Sequence, residues 1–134
     1  MLLNSIKIGL TSEKKLRITE AFGEKFGDLN GDRNPIHFDE TFASKTIFKG
    51  RIVHGMISAN LIATLLSESF PGAIYVTQIL NFLKPVRIND EIMAKFIVKR
   101  KIKKSQKIYL ETWCENQKGE RVLEGKTVTK ILNS

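Results

Sequence analysis

One helix that is apolar on nearly every side constrains the fold of this chain more than any other feature. Residues 55–69 read GMISANLIATLLSES, a run of good helix formers that Pro71 and Gly72 bring to an end. At about 1.5 Å per residue, such a helix spans on the order of 22 Å. A helix with apolar side chains all round is stable only when other elements bury it. The rest of the chain must therefore wrap it.

The sequence after this helix predicts strands that can do the wrapping. Four segments are enriched in β-branched and aromatic residues and alternate in part, at residues 73–83, 91–103, 106–116 and 121–132. Turn-forming residues between the last three predict an antiparallel meander. Residues 6–10 can add a further strand. We therefore predict an α+β fold, a single domain over residues 1–134 in which an antiparallel sheet is wrapped around a long central helix.

The sequence before the central helix predicts shorter helices separated by an irregular segment. Thr19 is a suitable cap for a helix over residues 20–29, and Asp39 is a suitable cap for a short helix after it. Residues 27–35, which lie between them, are rich in Gly, Asp and Asn. No helix can continue past Asn34, because a proline follows it. This segment is expected to form a stiff turn.

The composition is that of a soluble protein without a membrane segment. Hydrophobic residues make up 42% and charged residues 27% of the 134 positions, which is ordinary for a globular domain. The longest apolar-rich run, residues 57–66, is broken by polar residues and is too short to cross a bilayer. The N-terminus lacks the apolar core of a secretion signal, and the lone cysteine, Cys114, fits a reducing compartment. We expect a cytoplasmic protein with no membrane partner.

The formal net charge of +8 is concentrated in one part of the chain. Between residues 84 and 107, nine lysines and arginines stand against only Asp90 and Glu91. Such a run fits the solvated outer face of strands, and equally a landing surface for a phosphorylated ligand or an acidic carrier protein. Aromatic side chains that could stack on bases are few and far apart there. No nucleic-acid partner is therefore expected.

The segment GDRNPIHFDE, residues 31–40, carries the first candidate site. It places Asp32, Asn34 and His37 within six residues, and Pro35 stiffens the turn between the acid and the histidine. A carboxylate and an imidazole held at a fixed separation can act as a general acid–base pair on one water. The alternative is a loop histidine that only satisfies backbone groups.

The start of the central helix carries the second candidate site. Gly55 lies where backbone N–H groups are unpaired and the helix dipole is positive, and its lack of a Cβ permits close approach by a ligand carbonyl. These are the properties of an oxyanion hole, although a tight turn into the helix would select glycine equally well. His54, just before it, is expected to be structural and to orient the turn. With two histidines and no cysteine cluster, no zinc site is expected.

A family resemblance adds to this interpretation. FGDLNGDRNPIHFDETFASKTIFKGRIVHGM, residues 26–56, closely resembles the signature of the MaoC-like, (R)-specific enoyl-CoA hydratases of the hot-dog fold. PGAIYVTQILNFLKPVRINDEI, residues 71–92, resembles the central strand region of that family. The resemblance implies a homodimer or higher homo-oligomer whose subunits pair their sheets. It also implies addition of water to trans-2-enoyl thioesters to give (R)-3-hydroxyacyl thioesters, or the reverse dehydration.

The resemblance also implies roles for single residues. Asp32 and His37 match the catalytic pair that holds and activates the water, Asn34 a supporting residue, and Gly55 the backbone donor to the thioester carbonyl. No metal or redox cofactor is implied, since the CoA thioester is itself the substrate. Asn89 stands where a glycine often occurs in the family, which affects only the expected turn.

Three alternatives to an enoyl-CoA hydratase share the same fold. The first is a 3-hydroxyacyl dehydratase that acts on acyl carrier protein (ACP), the second is a thioesterase, and the third is a non-catalytic acyl-binding module. The acyl chain length stays open, because it depends on side chains of the helix and facing strands whose directions spacing does not give. Candidates for lining the acyl tunnel are Met56, Asn60, Leu80 and Phe82.

Overall fold

A five-stranded antiparallel sheet surrounds the apolar helix, as the sequence predicts. The computed structural model describes residues 2–132. The helices are α1 (Glu20–Asn30), α2 (Pro35–Phe38), α3 (Glu40–Ser44) and the central α4 (Gly55–Ser69), with a 3-10 turn at Leu3–Ser5. The strands are β1 (Thr11–Arg17), β2 (Ile74–Phe82), β3 (Glu91–Ile102), β4 (Lys107–Glu115) and β5 (Arg121–Lys130).

The strand order is β1-β3-β4-β5-β2, and every neighbouring pair is antiparallel. The predicted meander of the last three strands is confirmed, and all four strands predicted after the helix lie within one or two residues of their expected bounds. β1 and β2 occupy the two edges of the sheet. β2 follows α4 and pairs with β5, and its last residue, Phe82, lies against Gly55 at the start of the helix.

The core lies between α4 and the inner face of the sheet. Along β3, buried positions alternate strictly with partly exposed ones from Glu91 to Val98, which is the pattern of a strand with one face on a core. The buried residues of α4 are Ile57, Ser58, Ala59, Leu61, Ile62, Leu65 and Leu66. No helix within residues 2–132 is long and apolar enough to cross a membrane.

Both predicted helix caps are confirmed. The Thr19 hydroxyl accepts a hydrogen bond from the N–H of Phe22 at 3.1 Å, and the Asp39 carboxylate accepts one from the N–H of Phe42 at 3.0 Å. Gly31 ends α1 in the left-handed conformation, with φ of 76°, and its N–H donates to the Gly27 carbonyl. The chain is thereby turned back at the start of the candidate site.

Two local predictions differ from the structure. The strand expected at residues 6–10 is wrong: a turn through Gly9, with φ of 90°, occupies that segment, and the strand follows at Thr11–Arg17. β1 is an edge strand with mostly exposed, polar side chains, so its sequence carries little apolar alternation. The stiff turn expected at Pro35 is a complete single turn of helix, α2.

Candidate active site

His37 lies on α2, which Asn34 and Pro35 begin. The Asn34 side-chain oxygen accepts from the N–H of Ile36 at 3.2 Å, and proline at the first helical position gives up no hydrogen bond. Nδ1 of His37 lies 2.8 Å from the carbonyl oxygen of Ile52. Because a carbonyl can only accept, Nδ1 carries the proton and Nε2 of the neutral ring has a free lone pair. The turn therefore presents a proton acceptor.

Asp32 lies in the loop between α1 and α2, within reach of His37. Its N–H donates to the Asn30 side chain at 2.9 Å, and its carboxylate accepts from the N–H of Asn34 at 3.2 Å. A carboxylate oxygen of Asp32 and ring nitrogens of His37 and His54 all lie within 4.8 Å of one another. One water can bridge groups at such a distance with hydrogen bonds of about 2.8 Å. The structure thus brings the predicted acid and histidine together.

The pKa of His37 is lowered from its usual 6.5. Burial of the ring is the largest cause, because it disfavours the charged form. The carbonyl of Ile52 raises the pKa, the neighbouring His54 lowers it, and Asp32 raises it, in that order of size. The balance favours the neutral imidazole, the form that can take a proton from water.

His54 also belongs to this cluster, although the sequence assigned it only a structural role. Its ring is stacked on that of His37, with 3.9 Å between centroids and 30° between planes. It is 3% exposed, and its Nε2 lies 3.0 Å from the backbone carbonyl oxygen of Asp32. The one sequence signal for this position was its place just before the central helix.

Asp32, His37 and His54 also form the one cluster of three potential metal ligands found within residues 2–132. Their arrangement is poorly suited to a zinc ion. Imidazole lone pairs lie in the ring planes, and in two stacked, nearly parallel rings they cannot point at the same ion. That the protein needs no metal stays a prediction.

Gly55 is the first residue of α4, as expected. The side chain of the preceding His54 does not cap the helix, although the His54 backbone carbonyl accepts from the N–H of Ile57 at 3.1 Å. The N–H of Gly55, at the first helical position, has no partner within α4. The ring of Phe82, at the end of β2, lies directly against Gly55. Because Gly55 has no Cβ, another group can approach it closely, and in this structure that group is the ring of Phe82.

Two cavities meet at Met56 on α4. A cavity of about 450 Å³ adjoins the site, and its lining includes His37, Gly55, Met56, Ser58 and Phe82. A larger one of about 940 Å³ lies between α1, α4 and β2, and its lining includes Phe26, Met56, Asn60, Tyr75 and Leu80. All four tunnel candidates from the sequence line one or both cavities. Of the predicted site residues, His37 and Gly55 line the smaller cavity, whereas Asp32 and Asn34 do not.

Ser58 is a polar residue of the smaller cavity that sequence reasoning missed. Its hydroxyl is buried and has no hydrogen-bond partner within the described residues. Its backbone carbonyl accepts from the thiol of Cys114, on β4, at 3.4 Å. Cys114 is fully buried, and burial raises the pKa of its thiol to about 12. The apolar helix pattern gave no reason to single out one serine.

Comparisons with known proteins agree with this geometry. The MaoC like domain family matches residues 3–129. A 3-hydroxybutyryl-CoA dehydratase from Methylorubrum extorquens is 38% identical over 94% of this chain and 81% of that protein. A mitochondrial 3-hydroxyacyl-[acyl-carrier-protein] dehydratase from Arabidopsis thaliana is 36% identical over 87% of this chain and 74% of that protein.

The fold comparison gives the same result. An R-hydratase from Pseudomonas aeruginosa superposes with a TM-score of 0.91 at 31% identity, covering 99% of this chain and 86% of that one. The sheet around a long helix is therefore the hot-dog fold. Since the family match spans nearly the whole chain, this protein belongs to the MaoC-like family, alongside the (R)-specific enoyl-CoA hydratases.

Proposed function

We propose that this protein is a hydro-lyase that adds water to trans-2-enoyl-CoA and forms (R)-3-hydroxyacyl-CoA, in a reversible reaction. The observation that carries the proposal is the convergence of the Asp32 carboxylate and a His37 ring nitrogen within 4.8 Å, close to the start of α4. Similarity to hydratases and dehydratases over most of the chain supports the same reaction class.

In the proposed mechanism, Asp32 and His37 hold one water between them. Nε2 of His37 takes a proton as the water oxygen attacks Cβ of the enoyl thioester, since this nitrogen has the free lone pair. The protonated His37 then supplies the proton that Cα requires. The water is consumed as a hydroxyl on Cβ and a hydrogen on Cα, and His37 returns to its neutral state.

The negative charge that develops on the thioester oxygen needs a donor. We assign this role to the backbone N–H of Gly55, where the dipole of α4 also favours negative charge. Asn34 supports the site by starting α2 and by holding the Asp32 carboxylate through its N–H. Side chains and backbone supply every step, so the proposal requires no metal or redox cofactor.

The edge strand β2 supports the proposal of a homodimer. Large apolar side chains are exposed along it and just beyond, at Ile74, Tyr75, Val76, Ile79, Phe82 and Leu83, each between 40% and 54% exposed. An unpaired apolar edge of this kind is a template for a second strand. A second copy of the chain would cover it and close the larger cavity. A cytoplasmic location remains a prediction from the single cysteine.

A carrier-linked substrate is the second candidate. The β3–β4 hairpin carries Lys99, Arg100, Lys101, Lys103, Lys104 and Lys107, and no carboxylate within residues 2–132 forms an ion pair with them. An unneutralised basic surface favours an acidic partner such as ACP. A kcat/KM for the ACP-linked enoyl substrate well above that for the CoA form would establish this preference.

The proposal is tested by mixing the purified protein with trans-2-butenoyl-CoA and following the loss of enoyl-thioester absorbance. We expect an (R)-3-hydroxyacyl product on chiral chromatography and no free thiol. Asp32→Asn and His37→Ala should each lower kcat by at least about a hundredfold. Asp39→Asn is the matched control, since it changes a nearby helix cap to another good cap.

Three results would contradict the proposal. Full activity in both site variants would remove the pair from the mechanism, and release of thiol without a hydroxyacyl product would indicate a thioesterase. No turnover on CoA or ACP substrates of any chain length, with binding retained, would indicate a non-catalytic acyl-binding module.

A further inference from the structure

His54 contacts both members of the candidate pair, and each contact is of a different kind. Its ring lies flat against that of His37, and its Nε2–H donates to the backbone carbonyl of Asp32. The buried ring also makes T-shaped contacts with the rings of Phe26 and Phe38, at 5.2 and 5.4 Å between centroids. A side chain packed on all sides has little freedom to move.

Among the hydrogen bonds of Asp32, the one from His54 spans the longest stretch of chain. The other hydrogen bonds that the structure shows for Asp32 join it to Asn30 and Asn34, two residues away on either side. Within residues 2–132, His54 therefore makes the one hydrogen bond that ties the Asp32 loop to a distant part of the chain. Loss of that donor would leave the carbonyl of Asp32 without its protein partner.

The segment that carries His54 also holds His37. The carbonyl of Ile52 accepts from Nδ1 of His37, and the N–H of Ile52 donates to the carbonyl of Ile36. Val53, between Ile52 and His54, donates its N–H to the carbonyl of Val86 at 2.8 Å. Three consecutive residues thus connect the histidine, the acid and the segment between β2 and β3.

We propose that His54 is a positioning residue, whose buried ring fixes the separation of Asp32 and His37 by holding the backbone of one and the ring face of the other. This inference rests on the proposed function, because the separation matters only if the pair acts on one water. A catalytic pair displaced by about 1 Å can lose on the order of a hundredfold in rate. His54 itself need not touch the substrate.

Three substitutions separate the two contacts. His54→Gln keeps a donor for the Asp32 carbonyl and loses the stacked ring, His54→Phe keeps a ring and loses the donor, and His54→Leu loses both. We expect kcat to fall by about tenfold in His54→Gln and His54→Phe and by about a hundredfold in His54→Leu, with KM little changed. Val98→Ala is the control for lost stability, because Val98 is a fully buried core residue of β3 outside the site.

A second readout does not depend on turnover. The pKa of His37, followed by NMR of its ring protons, should depend less on Asp32 in His54→Phe. Asp32 raises this pKa in the wild type, so the drop in the His37 pKa caused by Asp32→Asn should be smaller in the His54→Phe background, where Asp32 has lost its bond to His54. Stacking in His54→Phe should preserve the burial of His37. This measurement keeps the inference testable even if the wild-type protein hydrates no enoyl thioester.

The outcomes are distinct. Unchanged kcat in His54→Leu would overturn the positioning role, and so would an effect of Asp32→Asn on the His37 pKa that is as large in His54→Phe as in the wild type. A rise in KM alone would also overturn it, because that pattern indicates lost substrate contact. If His54→Leu fails to fold, kcat of His54→Gln and His54→Phe is compared with that of the wild type instead. Values as high as the wild-type kcat in both variants would overturn the positioning role.

Discussion

The ring of Phe82 occupies the space that a side chain at Gly55 would need. A Cβ on Gly55 would lie 2.7 Å from Cε1 and 2.9 Å from Cδ1 of Phe82. Phe82 ends the edge strand β2 and is 54% exposed, so its ring has room to turn away. The proposed oxyanion donor is thus next to a movable aromatic side chain, which links substrate entry to the conformation of Phe82.

This relationship predicts the effect of Gly55→Ala. We expect the free energy of unfolding to change little, because Phe82 can move outward, and kcat/KM to fall by at least about tenfold as the methyl group and the displaced ring crowd the thioester. Adding Phe82→Leu should restore part of the activity. Steady-state kinetics and thermal unfolding of the two single variants and the double variant check this. A double variant no better than Gly55→Ala would show that the methyl group alone blocks the site.

The pH dependence of activity follows from the state of His37. Burial, the largest cause, and His54 lower its pKa, against the Ile52 carbonyl and Asp32. Since His37 must be neutral to accept a proton, kcat/KM should fall as the pH drops through this lowered pKa. The acid limb should therefore lie below about pH 6.5. Activity that increases on acidification through that range would show that His37 acts from its protonated form.

The same shift affects stability. The folded protein binds the His37 proton less tightly than the unfolded chain does. The contribution of His37 to stability is therefore fully present above the ordinary imidazole pKa. It is lost as the pH falls through the folded-state pKa. Thermal unfolding of wild type and His37→Ala across this pH range checks this. On acidification, the unfolding temperature should fall more steeply in the wild type than in His37→Ala.

Ser58→Ala should separate stability from function. The unpartnered hydroxyl is buried at a cost, so its removal should raise the free energy of unfolding by on the order of 1 kcal/mol. If the hydroxyl bonds to substrate or water in the cavity, kcat/KM should fall by about three- to tenfold. Ser67→Ala, at an exposed position of α4, is the control. Unchanged kcat/KM in Ser58→Ala would mean that the hydroxyl has no role in the reaction.

The apolar edge of β2 predicts the assembly. Light scattering should give about twice the chain mass of 15.2 kDa for the wild type. Ile79→Lys should lower this mass, because a lysine on the edge strand opposes strand pairing. Ile8→Lys, at an exposed apolar residue close to the opposite sheet edge, should not. A monomeric wild type would contradict the proposed homodimer.

Long patterns in the sequence predicted most of this fold. The four strands after α4 and the caps at Thr19 and Asp39 are local signals, so their positions could be derived without the structure. β1 could not, because an exposed edge strand needs no apolar alternation. α2 could not be derived either, because its four residues are too few to show the 3.6-residue repeat of a helix.

In the candidate site, too, local features could be predicted from the sequence and contacts between distant segments could not. Asp32 and His37 are five residues apart, so a stiff segment between them was enough to predict their proximity. The stack of His54 on His37 and the contact of Phe82 with Gly55 join parts of the chain that only folding brings together. Spacing carries no information about such contacts, and His54 was therefore predicted as a structural residue only.

The burial of Cys114 has a practical consequence for enzymology. Cys114 is the only cysteine of the chain, it is fully buried, and burial raises its pKa to about 12, so the thiolate that reacts with disulfide reagents is scarce in the folded protein. In a colorimetric thiol assay on the native protein, the background from the protein's own thiol should therefore be close to zero. Even one turnover of thioester cleavage per active site would be visible above it, which makes the thioesterase alternative measurable at stoichiometric sensitivity.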